Sequence, residues 1–276
     1  MINEKIIYLI NDLPVMPEII TLLIIELNSE DPDIDNIEKL IYKDPFITAK
    51  IINIANSTFF NLFRKVDNVD EALRFIGLKK LFNIILMIGV SKSFKDIKDF
   101  DVYNFWQYTL NVSKLSQSLA KIAKLEADTA LTIGLLHGIG EMILVLKMKD
   151  QIQLINKESD SYSLNRAEIQ RNVIGFSYLD VSQAFMKQNK FSSLSINTIK
   201  DQTLISQDRE SILKINKLSL IIYLAIWVVR YKSKNSDIII DDYLKEIISE
   251  LKINEDDLFN QDAGFWASKE DVAMII

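Results

Sequence analysis

A chain of 276 residues with 38 acidic and 32 basic side chains, net charge −6, lacks the basic excess of a nucleic-acid-binding surface. It has no cysteine, which excludes disulfides, thiolate nucleophiles and sulfur-held zinc. Only 7 Gly and 4 Pro leave little material for hairpin turns, so an all-α protein of one large or two small domains is expected.

The N-terminal "MINEKIIYLINDLP" sets one early Lys beside Glu4. It has neither an uninterrupted apolar core nor a small-residue cleavage site, which argues against a signal peptide. With the missing cysteine, this fits a cytoplasmic protein. Pro14 and Pro17 then precede an apolar run from Ile19 to Leu27. In "DPDIDNIEKLIYKD" Asp35 and Glu38 are spaced like a capping box. Asp44 and Pro45 suit the N-cap and first position of the next helix. A further helix is predicted from Asp67 to Gly77, where glycine suits a left-handed cap, and a very apolar one from Leu78 to about Ser91. That makes about five helices in the first 95 residues.

The charged segment Lys92–Phe105 breaks the helical pattern and is the best domain boundary, which divides the chain into residues 1–94 and 95–276. Beyond it Tyr108, Val112, Leu115, Leu119 and Ile122 share one helical face. Asp128 can cap the next helix, on which Ala130, Ile133, Gly134 and His137 align. Asn165 and Glu168 open another, ending at Gly175, and Ser177 opens the one after. A long apolar helix is predicted from Ile215 to Tyr231. The most apolar runs, Leu81–Val90 and Leu218–Val229, fall short of the roughly 18 to 20 residues of a bilayer span and read as core. No strand-like alternation competes, and no repeat is visible.

His137, in "GLLHGIGEM", is the only histidine. On an apolar helical face an imidazole ordinarily donates one hydrogen bond and accepts another. The competing roles are a ligand pocket around Tyr108 and His137 and, less favoured, a pH switch, because a free histidine titrates near 6.5. No G-x-S-x-G elbow and no glycine-rich phosphate loop occurs. Asn56 and Ser57 read as a helix end. Phe59 and Phe60 suit either core or a partner-binding surface together with them. Phe265 and Trp266 would dock the tail onto the body, with a partner anchor as the alternative because Trp is favoured at interface hot spots.

Several words of the sequence, taken together, resemble the HDOD family: "LPVMPEI", "DPFITAKIINIANSTFFN" and "VDEALRFIGLKKLFNIIL" in the first half, "FWQYTL" and "GLLHGIGEMIL" in the second. "IGFSYLDVSQAF" and "LSLIIYLAIWVV" match less closely, and the last 45 or so residues match nothing. The resemblance implies an N-terminal five-helix bundle and a C-terminal lobe related to the HD metal-dependent phosphohydrolases. It also implies a bacterial regulatory role in signalling, motility or stress circuits.

An HD phosphohydrolase needs a first His, a His-Asp pair and a distant Asp to hold a divalent metal that activates water. On this resemblance the first His position is Tyr108, the pair is His137 and Gly138, and the distant Asp falls at Ile226. Two further family histidines align with Tyr178 and with Asp201-Gln202-Thr203. A lone imidazole falls short of the roughly three protein ligands that a catalytic metal requires. The expectation is therefore a non-catalytic regulatory protein without metal or cofactor, bound to another signalling protein and not to nucleic acid or membrane. Asn56, Ser57, Phe59 and Phe60 are the candidate contact residues. The alternatives are a small-nucleotide sensor in the vestigial pocket and residual phosphohydrolase activity.

Overall fold

The computed structural model describes residues 4–11, 17–93, 100–207, 215–233, 240–259 and 265–276. Every regular element among the described residues is a helix, as composition predicts. In chain order these are α1 (Glu4–Asn11), α2 (Glu18–Leu27), α3 (Ile34–Tyr42), α4 (Pro45–Ala55), α5 (Val69–Ser93), α6 (Val102–Ile122), α7 (Ala127–Leu136) and α8 (Ile139–Lys147). There follow α9 (Lys149–Glu158), α10 (Arg166–Ile174), α11 (Tyr178–Gln188), α12 (Ser193–Gln207), α13 (Lys217–Ser233), α14 (Asp242–Leu251), α15 (Glu255–Phe259) and α16 (Lys269–Ile275).

Packing gathers the chain into two compact units. One holds α1 with Tyr108–Trp266, and the other holds Pro14–Gln107 with Ala267–Ile276. This differs from a simple cut at residue 94, and the reason is hydrophobic burial remote in sequence. Helix α1 buries Ile6, Leu9 and Ile10 and packs on α8 and α11. Helix α16 buries Val272 and Ile275 and packs on α4 and α5. The division between units falls inside α6, after the break in pattern that the sequence shows.

Local signals set most boundaries. Asp44 accepts hydrogen bonds from the backbone N–H groups of Phe46 (2.9 Å) and Ile47 (3.1 Å), and Pro45 opens α4. At Gly77 α5 bends through φ 73° and ψ 169°, a region essentially closed to other residues. The two helices expected there are the two arms of α5. Three caps lie a residue or two from their expected places. Asp33, not Asp35, caps α3 by accepting from Asn36 N at 3.1 Å, because Glu26 holds Asp33 N and the Asn36 amide. Asn68 accepts from Glu71 N at 2.8 Å, displacing Asp67 as the cap of α5. Asp128 lies inside the first turn of α7, where it accepts from Gln117 instead.

Both apolar runs are core, Leu81–Val90 being buried throughout. The stretch Ala127–Lys147, covering α7 and α8, is long and apolar enough to cross a membrane, but 83% of its most apolar window is buried inside the protein. On α6, Tyr108, Val112, Leu115 and Leu119 are buried as the spacing predicts, whereas Ile122 is exposed near the helix end. The Lys232 ammonium sits 4.3 Å from the Trp266 ring centroid, a cation–π contact that docks the tail on α13.

In the unit built on α2–α5 one carboxylate ties the end of the chain to the loop after α4. Asp271 accepts from Thr58 Oγ1 (2.7 Å), Phe59 N (2.9 Å) and Ser268 N (2.9 Å). Burial alone would raise its pKa, but bonds from Thr58, Ser268 and Phe59 outweigh burial and hold it below the usual carboxylate value. Asp271→Ala should cost about 2 to 3 kcal/mol, read from urea midpoints at neutral pH. Because the folded pKa is depressed, this stabilisation is complete above the unfolded carboxylate range and fades as pH falls through the folded value. Wild type and variant should therefore converge in acid.

Candidate functional site

The unit containing α7, α8 and α13 encloses a connected set of buried polar groups around His137. The imidazole has no exposed surface. Its Nδ1 lies 2.6 Å from Gly134 O, one turn back on α7, and its Nε2 lies 3.0 Å from Tyr108 Oη on α6. Arg230, near the end of α13, donates from Nε to the same Tyr108 Oη (3.1 Å), from Nη1 to Ser163 O (2.9 Å) and from Nη2 to Tyr178 Oη (2.9 Å).

These partners fix the protons. A guanidinium can only donate and a carbonyl can only accept. Gly134 O therefore takes the Nδ1–H of His137. Tyr108 Oη accepts from Arg230 and turns its own proton toward His137 Nε2, which accepts. The histidine is neutral, with its one lone pair engaged. Burial, opposed by the bond to Gly134 and reinforced by the Arg230 charge, pushes its pKa down to about 3. Burial likewise raises Tyr108 to about 12 against the pull of Arg230, so the phenol keeps its proton. The Tyr108 and Tyr178 phenols hold Arg230 protonated against the opposing effect of burial.

A second buried cation adjoins the first. Arg166, with no side-chain exposure, pairs with Glu141 at 2.5 Å and donates to Ser159 O at 2.6 Å. Gln170 donates to the other Glu141 oxygen at 2.6 Å and accepts from Tyr178 N at 2.7 Å. Tyr178 thus joins the two arginine clusters. Helices α8 and α11 meet at Gly140, where an added Cβ would stand 2.0 Å from Tyr178 O and 2.9 Å from Ser182 N. Ser182 Oγ fills the same crossing, accepting from Gly140 N (2.9 Å) and donating to His137 O (2.8 Å).

Tyr108 and His137 do come together, and Tyr178 joins them through Arg230. Gly138 is buried at the N-cap of α8 and brings no side chain. Ile226 is buried on α13 one turn before Arg230 and brings no polar atom. Asp201, Gln202 and Thr203 have other partners: Ser219 Oγ, the carbonyls of Thr198 and Ser219, and Arg171. Among the described residues no three His, Asp or Glu side chains are grouped as a metal would require.

Arg230, Arg166 and Glu141 are absent from the residues that the sequence singles out. Glu141 gave a signal, a carboxylate inside "GIGEMILVL". Arg230 gave little, since a basic residue in a last helical turn is ordinary.

The four candidate contact residues of the other unit do not form an exposed surface. Ser57, Phe59 and Phe60 are buried at 5%, 7% and 8% exposure. The Asn56 amide pairs with both Val66 O (2.7 Å) and Val66 N (2.8 Å), closing the loop between them. Asp271 occupies the backbone N–H of Phe59. The expectation of an open contact patch at these residues is corrected accordingly.

Fold and site together define an all-helical protein whose interior carries arginine-centred hydrogen-bond clusters. The HDOD domain matches residues 13–204, and the chain belongs to the HDOD family. Among solved structures it is similar to a proposed phosphohydrolase from Shewanella amazonensis, with TM-score 0.76, 21% identity and 98% of each chain covered. It is similar also to an HDOD domain protein of unknown function from Geobacter sulfurreducens, with TM-score 0.62, 18% identity, and 97% of this chain and 92% of that one covered. These likenesses show the fold. An uncharacterized protein of Treponema pallidum is 27% identical over 139 residues, 49% of this chain and 26% of its own length. The Bacillus subtilis uncharacterized protein YuxH is 25% identical over 156 residues, 51% of this chain and 37% of its own. The matched regions thus span well under half of those two relatives.

Gly140→Ala should cost well over 2 kcal/mol or prevent folding, because the clash is with backbone and no rotamer relieves it; chemical denaturation of purified protein reads this directly. The depressed His137 pKa sets a pH dependence. Stability is intact above the unfolded histidine value, near 6.5, and is lost as pH falls toward about 3, since only the unfolded chain takes up the proton. His137→Gln should flatten that limb by up to about 1.4 kcal/mol per pH unit, measured as urea midpoints from pH 7 to 4.

Proposed function

We propose that this HDOD protein is a non-catalytic bacterial regulator that acts in the cytoplasm by binding another signalling protein, in a circuit such as motility or stress control. One observation carries the reading. A guanidinium, Arg230, stands hydrogen-bonded among the residues that align with the metal-binding positions of the HD phosphohydrolases. A fixed cation there opposes a second cation, and the one imidazole has its lone pair engaged by Tyr108. Among the described residues no ligand set supports the metal-activated water that the hydrolytic reading needs.

The nucleotide-sensor alternative gains a cation that the sequence reading did not include, but Arg230 already donates to two phenols and a carbonyl. A phosphate would have to displace them. Family membership supports a regulatory role in general, as does the likeness to a proposed signal transduction protein from Marinobacter aquaeolei, with TM-score 0.68, 16% identity, and 96% of this chain and 60% of that one covered. On this reading the chain acts by recognising a partner.

Two measurements test this. Protein freed of any affinity tag and analysed for Mn, Fe, Zn and Mg should carry only trace metal, and added metal should not release phosphate from a generic phosphoester. A deletion strain complemented with His137→Gln should recover wherever blotting shows normal abundance. About one metal per chain that disappears in His137→Gln would return the protein to the hydrolases, and lost function at full abundance without metal would put the nucleotide-sensor reading in place of partner binding.

A further inference from the structure

A cavity of about 810 Å3 lies apart from the His137 cluster, lined from α1, α10, α11, α12 and the turn after α10. Its size is that of sites for small organic ligands, roughly 300 to 1,000 Å3. Its charge is opposite to that of the chain. Arg171, Lys187 and Lys200 line it against one carboxylate, Asp180, in a protein of net charge −6.

That carboxylate is already neutralised. Asp180 Oδ2 accepts from Ser177 N (2.8 Å) and Ser177 Oγ (2.7 Å) and lies 3.5 Å from Arg171 Nε. Arg171 is itself fixed, with Nη2 donating to Ser177 Oγ (2.9 Å) and Thr203 Oγ1 (2.6 Å), which leaves Nη1 unengaged. Lys187 and Lys200 make no ion pair or hydrogen bond among the described residues. Two exposed ammonium groups thus line one cavity beside an arginine whose plane is set by its neighbours. That arrangement grips a multiply charged oxyanion, with the arginine supplying directed donors and the lysines supplying charge. Ser193, at the start of the 15-residue α12, lines the same space, and the helix dipole adds positive potential there.

The remaining lining is apolar. Phe176 and Ile6 are buried, Ile196 is half-buried, and Leu204 stays 42% exposed beside the cations. Apolar lining beside these cations suits a ligand with an anionic end and an apolar body. We infer that this cavity, and not the His137 cluster, is a binding site for a nucleoside phosphate, held by Arg171, Lys187 and Lys200 at its phosphates and by Phe176, Ile196 and Leu204 at its base. The inference goes beyond the proposed partner binding and does not depend on it.

Calorimetric titration of the full chain tests it, with AMP, ADP, GMP and GDP as probes and adenosine, guanosine and inorganic pyrophosphate as the separated halves. At least one nucleotide should bind with micromolar affinity, and its nucleoside and pyrophosphate at least about tenfold more weakly. The double variant Lys187→Glu, Lys200→Glu should lose at least about tenfold, and the neutral pair Lys187→Gln, Lys200→Gln should fall between. Lys157→Glu, an exposed lysine on α9 outside the cavity, should bind as wild type. All these changes are at exposed positions, and circular dichroism with a melting curve confirms that each variant is folded. No nucleotide binding up to about 1 mM, undiminished binding by the double variant, or pyrophosphate binding as tightly as the nucleotides would each overturn the assignment.

Discussion

Arg230 brings a positive charge into the interior of its unit and finds no carboxylate among its hydrogen-bond partners. Burying an ion costs several kcal/mol unless its donors are satisfied. Two phenol oxygens and one carbonyl meet that demand, and the Tyr108 and Tyr178 rings, each with a centroid 5.8 Å from the guanidinium carbon, add their electron-rich faces. Much of the nearby structure follows. Tyr108 must accept from the arginine, so its proton turns to His137; the imidazole must then be neutral with Nδ1 protonated, and the α7 backbone at Gly134 receives it. One cation at the end of α13 thereby orders groups on α6, α7 and α11.

The Glu141–Arg166 pair completes this arrangement. Alone, a buried ion pair gives little net stability against an apolar substitute, whereas losing one member costs about 3 to 5 kcal/mol. Its value here is positional. Gln170 binds both Glu141 and the backbone N–H of Tyr178, so the start of α11 is placed relative to α8 and α10. The contact between α8 and α11 is close enough that Gly140 admits no side chain. The tyrosine that engages Arg230 is therefore held at its backbone by one charged cluster and at its hydroxyl by the other.

Local chemistry was readable from the sequence, and remote chemistry was not. Asp44 followed by Pro45, the positive φ at Gly77 and the buried face from Tyr108 to Leu119 each depend on residues within a turn or two, and each is where the sequence places it. Cap assignments slipped where a side chain from another element intervened, as Glu26 does at Asp33. The packing of α1 and α16 depends on apolar faces far away in the chain, which periodicity cannot assign. In sequence Asn56 reads as a helix end and the two phenylalanines as core before contact surface, and Asp271, more than 200 positions later, helps to settle the phenylalanines as core. His137 and Tyr108 were legible as a pair through the family pattern. The guanidinium between Tyr108 and Tyr178 was not, because nothing local tells an arginine ending an apolar helix that it will turn inward.

A guanidinium and a divalent metal make different electrostatic demands on the groups around them. A divalent metal among imidazoles and carboxylates is a cation surrounded by ligands that must give up protons to bind it. Arg230 is also a cation, but one whose proton is never lost at physiological pH, so its partners can be neutral phenols and a carbonyl. Arg230 places a positive charge at the centre and gives the helices a common point of attachment. The two cations differ in reactivity. A guanidinium has no vacant coordination position and cannot lower the pKa of a bound water as a metal does. A buried cation can thus serve a structural use by itself, and Arg230 does so here by joining α6 and α11 to α13.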